Sequence, residues 1–452
     1  MSRFNEQQLT AIKHFSGPAM VIAGPGSGKT TVITNRIRYL IFERKIPPEQ
    51  LLVITFTAAA AEEMRSRYLK LCDLTGTKVT FGTFHSVFLQ FLIRYSGFSK
   101  FRLASAEESV SILRSVFQKH HPDRNYTSDF FEHLLGSISK FKNGLGTPDP
   151  FLRDIVLEYD RLLHGRQLMD FDDMLTCCLQ MLRSDPSVLE SLRSEYRFLM
   201  VDEFQDINPV QFECVRLLAA PSDNLFVVGD DDQSIYAFRG SDPGIMLSFR
   251  KYYPKARFLE LLYNYRSSET IVQSASRVIR HNKKRYAKEF RPMNQGGVPV
   301  SVRSFYDMEE EANVIAAEIA HLPDEVKSVG ILYRKHRDAL AVRKVVGTKL
   351  KDGSICRKEI SFLSFHSSKG LEFDVVYMIN VQEQEPRHGE APAAFYEEER
   401  RLFYVAMTRA RRILHISYTN YHYNKRHKKC RFLKETGAEG LFALIFGRGA
   451  RD

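Results

Sequence analysis

The run Ala19-Met20-Val21-Ile22-Ala23 passes directly into Gly24-Pro25-Gly26-Ser27-Gly28-Lys29-Thr30, and no other junction in the 452-residue chain constrains the fold as strongly. A short apolar run, a glycine-rich turn and the helix-forming stretch Thr31 to Leu40 read as strand, loop and helix N-terminus in succession. That succession belongs to a parallel sheet with crossover helices. Ala23 to Thr30 fits the phosphate-loop pattern, with Ala23 in place of the usual first glycine. The glycines let successive backbone N–H groups turn inward around an anion, and Lys29 adds a point charge. The Thr30 hydroxyl suits Mg²⁺, and the helix that begins around Thr31 aims its positive end at the phosphates.

Three further runs repeat the pattern. Leu51 to Thr55 leads into Phe56-Thr57 and a helical stretch from Ala58 to Arg67; Phe198 to Val201 ends on Asp202-Glu203; Asn224 to Val228 ends on Gly229-Asp230-Asp231-Asp232. Polar residues at the carboxyl ends of parallel strands are where such sheets hold ligands. Asp202 is placed to hold Mg²⁺ through water, and Glu203 to polarise an attacking water as general base. Taken alone, the two carboxylates also fit a solvated turn; beside a phosphate loop they point to hydrolysis.

From about Phe91 to Arg197 apolar residues recur at helical spacing, which predicts a helical insertion. The strand rhythm returns at Phe258 to Leu262, Val298 to Val302, Val329 to Tyr333, Ile360 to Phe365, Val375 to Ile379 and Ile413 to Tyr418, predicting a second α/β domain. The expected division is 1–90 and 198–256 for the first α/β domain, 91–197 for the insertion, 257–435 for the second domain, and 436–452 for a tail without fixed structure. With 65 Lys and Arg against 54 Asp and Glu, the net charge of +11 favours a polyanionic partner. The first residues lack a secretory pattern, and no run approaches the roughly 18 apolar residues of a membrane span. Six scattered cysteines without a CxxC pair fit free thiols in a reducing, cytoplasmic setting.

Val201-Asp202-Glu203-Phe204-Gln205-Asp206, followed by Val228-Gly229-Asp230-Asp231-Asp232-Gln233-Ser234-Ile235-Tyr236, resembles the UvrD/Rep/PcrA family of superfamily 1 DNA helicases. The likeness continues in order through Phe4 to Gln8, Thr55 to Thr57, Gly82 to Ser86, Asp170 to Asp173, Asn264 to Ser267, Phe365 to Phe373 and Glu397 to Ala410. The resemblance implies two RecA-like parallel-sheet domains with ATP between them, and a motor that steps 3′ to 5′ along single-stranded DNA. It implies that Gln8 reads the adenine, Tyr265 stacks on it and Glu372 meets the ribose. It makes Gln233 the γ-phosphate sensor, and Arg266 and Arg409 arginine fingers that would tie hydrolysis to domain closure. Phe56, Thr83, His85, Tyr236, Phe238, Arg239 and His366 are implied for the strand track, where aromatic rings accept bases of any sequence. Basic runs at Arg277 to Lys288 and Lys425 to Arg431 fit phosphate contacts or a solvated face. Implied partners are single-stranded DNA, its junctions with duplex, and repair or replication proteins; in a prokaryote the setting is nucleoid-associated.

Four departures stand out. The chain has no tryptophan, and Phe238 takes a place where the family commonly has one. Ala58-Ala59 replaces Asn-Lys, and His336 stands where an asparagine is usual. Only residues 335–364, 30 in all, separate Arg334 from Phe365, where the family carries a large mobile subdomain. The expected product is a reduced motor with that subdomain, termed 2B, shrunk to a connection at 335–360. A DNA-stimulated ATPase that strips proteins without unwinding, and a nucleotide-switched scaffold, remain alternatives at this stage.

Overall fold

Apolar β-branched residues in Ala19–Ala23, Leu51–Thr55, Phe198–Val201 and Leu225–Gly229 are buried on both faces, as central strands of a parallel sheet must be. The computed structural model describes residues 4–120, 126–145, 150–351, 358–386, 391–422 and 425–438. They divide into two compact units, each described on its own.

The first unit holds a six-stranded parallel sheet in the order Thr80–Thr83, Leu51–Thr55, Phe198–Val201, Leu225–Gly229, Ala19–Ala23 and Arg257–Leu261. Its last strand overturns one expectation. Arg257–Leu261 does not open the second domain; it pairs in parallel with Ala19–Ala23, from Ala19↔Arg257 to Ala23↔Leu261. Its alternating burial explains the difference, because an edge strand covers the open flank of the glycine-loop strand while keeping one face in water.

Polar caps set the turns at the carboxyl edge of this sheet. The Thr57 hydroxyl accepts from Ala60 N at 3.1 Å to start helix Ala58–Cys72, and Thr83 does the same from Ser86 N at 3.2 Å for helix Phe84–Ser96. The predicted insertion is helical, with helices Ala106–His120, Ser128–Lys142, Pro150–Gly165, Phe171–Ser184 and Pro186–Glu195. Ile112, Val116, Ile155 and Tyr159 lie in its own apolar core. Helices Ser128–Lys142, Pro150–Gly165 and Phe171–Ser184 meet at a buried charge cluster. Lys142 Nζ lies 2.6 Å from Asp160, 2.8 Å from Asp170 and 2.8 Å from Asp173.

The second unit carries a five-stranded parallel sheet ordered Ser301–Phe305, Ala410–Thr419, Phe373–Met378, Ser328–Tyr333 and Glu359–Ser364. A separate parallel pair joins Tyr263–Ser268 to Arg291–Asn294. Glu311, with no exposed surface, accepts from Asn380 N at 2.9 Å and Ser417 Oγ at 2.6 Å, binding a helix to two strand ends. The segment after Arg334 forms a short turn, His336–Ala339, and one helix, Leu340–Lys351. Most of the tail expected at 436–452 lies outside the described residues, as does Cys356. The other five cysteines are free, and among the described residues no helix is long and apolar enough to cross a membrane.

Candidate functional site

In the first unit the helix after the glycine loop begins at Lys29, so its ammonium sits at the helix N-terminus. Lys29 Nζ lies 3.6 Å from Glu203 Oε1, uniting the two motifs that sequence spacing separates by more than 170 residues. Asp202 is buried, and its Oδ1 accepts from Glu203 N at 2.9 Å. Glu203 has φ +52°, a left-handed conformation that turns its side chain away from the preceding strand. Gln205, wholly buried, holds it there. Its Nε2 donates to Glu203 Oε2, while its Oε1 accepts from Asp230 N at 2.9 Å. Gly229 must be glycine, since a Cβ there would come within 2.7 Å of Gln205 Oε1.

Thr30 and Thr31 are half-buried in the first turn of the helix, and the Thr30 hydroxyl has no protein partner among the described residues. Gln8 is buried and completes a capping box with Asn5, donating its backbone N–H to Asn5 Oδ1 at 2.7 Å.

Gly24 to Gly28 cluster with the second unit. The loop closes on itself through Ser27 Oγ, which donates to Gly24 O at 2.8 Å. Gly26 and Gly28 have φ of +67° and +87°, conformations that favour glycine. Asn264 Nδ2 donates to Pro25 O at 2.8 Å, and Tyr265 N donates to Gly26 O at 2.9 Å. Tyr265 leaves 42% of its surface exposed, a face able to stack. Arg266 pairs with Glu372, which also meets Arg411. Burial opposes ionisation of Glu372, but the two guanidinium groups outweigh it and hold the carboxyl below its usual range. Arg409 is 1% exposed, and its Nη2 lies 3.4 Å from Gln233 Oε1. Part of the predicted basic run is neutralised internally: Arg285 makes two bonds to Asp232, at 2.8 and 2.6 Å, and Lys288 lies 3.1 Å away. Arg431 is likewise held by Glu383.

Of the residues expected on the strand track, Phe56 and Tyr236 stack with centroids 4.9 Å apart, and Phe238 lies 6.1 Å from Tyr236 with half its surface exposed. His85 meets the edge of Phe171 at 5.5 Å. Burial pushes the His85 imidazole down, favouring its neutral form. Phe56, His85, Phe171 and Phe238 line one cavity of about 690 Å³ in the first unit. His366 sits half-buried in the turn after Glu359–Ser364 in the second unit. The Arg239 side chain lies outside the described residues. Phe171, which is not among the residues expected on the strand track, lines the same cavity; its place inside Asp170-Phe171-Asp172-Asp173 is the sequence signal that points to it.

The UvrD/REP helicase N-terminal domain matches residues 4–254, more than half of the chain. The chain belongs to this family. The UvrD-like helicase C-terminal domain matches residues 259–349 and 345–421. Relatives include the putative ATP-dependent DNA helicase YjcD of Bacillus subtilis, 35% identical over 359 residues, 75% of this chain and 47% of that protein. The ATP-dependent DNA helicase PcrA of Staphylococcus aureus is 32% identical over 425 residues, 87% of this chain and 57% of that protein. The Staphylococcus epidermidis PcrA is 31% identical over 425 residues, with the same two shares. The chain spans about half the length of these relatives.

Proposed function

We propose that this family member is an ATP-hydrolysing motor that moves 3′ to 5′ on single-stranded DNA and opens duplex at single-strand junctions. The observation that carries the proposal is the Lys29–Glu203 pair, a glycine-loop cation 3.6 Å from a carboxylate fixed by the buried Gln205. In this reading Lys29 and the backbone N–H groups of Gly24 to Gly28 bind the phosphates, Tyr265 and Gln8 hold the base, and Glu372 meets the ribose. Glu203 accepts a proton from the attacking water. Gln233, Arg266 and Arg409 attend the phosphate charge that develops in the transition state. A hydroxyl (Thr30) and a buried carboxylate (Asp202) form a hard-oxygen donor set that fits Mg²⁺. When bound, Mg²⁺ would neutralise phosphate charge.

The reading of a motor without the 2B subdomain is supported by the segment after Arg334, whose described residues hold a short turn and one helix of 12 residues before the Glu359–Ser364 strand. That same shortness favours a second reading, a translocase that strips proteins and unwinds poorly. ATP turnover with and without single-stranded DNA, for wild type and Glu203→Gln, tests the enzyme. The substitution is expected to lower turnover by about 10²- to 10⁴-fold with nucleotide binding retained; equal rates would refute the proposal. Duplexes tailed at the 3′ or the 5′ end, with an RNA control, then decide polarity and substrate. Retained ATPase with no unwinding selects the translocase.

A further inference from the structure

Apart from the candidate site, the second unit holds a cavity of about 500 Å³ between helix Glu269–Ile279 and residues 285–290. That volume is in the range of small-ligand pockets. Tyr265, Gln233, Glu372 and Arg409 do not line it. Four cations do: Arg277 in the last turn of the helix, Arg280 at its C-cap, and Arg285 and Lys288 across from them.

These cations fall into two pairs. Arg285 and Lys288 are committed to the buried Asp232. Arg277 and Arg280 are exposed, and neither has a carboxylate partner among the described residues. Arg280 spends its Nε on Ser276 O at 3.4 Å, which leaves both Nη groups to point elsewhere. Arg277 is packed against Gly437, where a Cβ would come within 2.3 Å of its Nη1. A cation near a helix C-terminus is favourable on its own, so the pair alone says little. The charge balance says more. Glu289 is the only acidic residue in the lining, so the four cations face two carboxylates, Glu289 and Asp232, and two positive charges are left over. Gln273 and Ser276, each one turn before an arginine, add neutral donors to the same wall. The floor is apolar: Val272 and Ile279 are buried, and the half-buried Phe290 packs on Gly24, where a Cβ would lie 2.1 Å from its ring.

Guanidinium forks match the oxygens of a phosphate group two at a time. An extended phosphodiester spreads single charges along a track, whereas here the excess is gathered in one cavity. That arrangement suits a ligand with several negative charges on adjoining groups. We propose that this cavity binds the diphosphate group of a small molecule, held by Arg277 and Arg280, with Phe290 facing the body of the ligand. The site is separate from the glycine loop and does not depend on the chain being a motor.

Calorimetric titration of pyrophosphate without Mg²⁺ tests it, using Lys29→Ala to weaken the competing phosphate site in the glycine loop. Saturable binding is expected to persist in Lys29→Ala and to weaken by about tenfold or more when Arg277→Gln and Arg280→Gln are added. Both arginines are exposed, so the thermal transition should be unchanged. Thymidine 5′-diphosphate tells the two sources of the group apart: tighter binding than pyrophosphate marks a nucleotide, and equal binding marks bare diphosphate. Loss of binding in Lys29→Ala, or unchanged affinity in the arginine variant, overturns the proposal. So does displacement of pyrophosphate by blunt duplex DNA, which would make the cavity a backbone contact.

Discussion

Replacing Glu311 with glutamine should make the second unit more stable at alkaline pH and leave it nearly unchanged in acid. Glu311 is wholly buried; its Oε1 accepts from Asn380 and Ser417, while its Oε2 is buried without a partner. Burial is the main cause that raises its carboxyl from an ordinary 4.5 to about 7, outweighing the two hydrogen bonds that favour the charge. Between those pH values the folded chain holds a proton that the unfolded chain has released. The stabilisation is complete below pH 4.5, is lost as pH rises to 7, and stays lost above it. At 1.36 kcal/mol per pH unit the loss is roughly 3 kcal/mol. Glutamine keeps the acceptor oxygen and never ionises. His415 runs the other way: burial pushes it down to about 4, so its contribution is lost as pH falls from 6.5 toward 4. The wild-type profile alone therefore mixes two opposed terms, and the difference between wild type and Glu311→Gln isolates one. Denaturant unfolding followed at pH 5 and pH 8 should show the variant ahead by about 3 kcal/mol at pH 8, or roughly 6–12 °C in Tm for a unit of this size, and by far less at pH 5. The same difference at both pH values would refute the argument.

Asp232→Asn removes the buried carboxylate that Arg285 and Lys288 share and should cost about 3–5 kcal/mol in chemical unfolding. Lys142→Met removes the ammonium that Asp160, Asp170 and Asp173 share, leaving His164 beside Asp173, and should destabilise by a similar amount, partly recovered at low pH as the carboxylates protonate. Phe238→Ala removes a half-exposed ring beside Tyr236 and should weaken single-strand binding by about 1–3 kcal/mol, read by anisotropy, with no sequence preference in the loss.

Strands with an apolar β-branched run were readable because a parallel sheet buries both faces; Val21, Val53 and Val227 carry that signature. Membership of a sheet was less readable. Arg257–Leu261 pairs with residues more than 230 positions earlier, and nothing in its composition records which neighbour it joins. Tyr263–Ser268 is polar and carries no strand pattern at all. At the candidate site, Asp202 and Glu203 follow a strand end and Lys29 opens the helix after the glycine loop, positions that a parallel sheet gathers at its carboxyl edge. Phe171 and the Lys142 cluster depend instead on how separate helices cross, and helical periodicity does not encode that.

Gln205 leaves the first unit with a mechanical choice. Its amide donates to the Glu203 carboxylate at one end and accepts from Asp230 N at the other, and the chain from Asp230 runs on to Tyr236 and Phe238. A planar amide cannot turn at one end alone. If a base lodged between the rings draws the Asp230 strand tip outward, Gln205 must either follow and rotate the carboxylate or break a buried hydrogen bond costing about 1–3 kcal/mol. On the proposed function, one side chain would then work as a clutch, with the grip on the polymer at one plate and the readiness to cleave at the other.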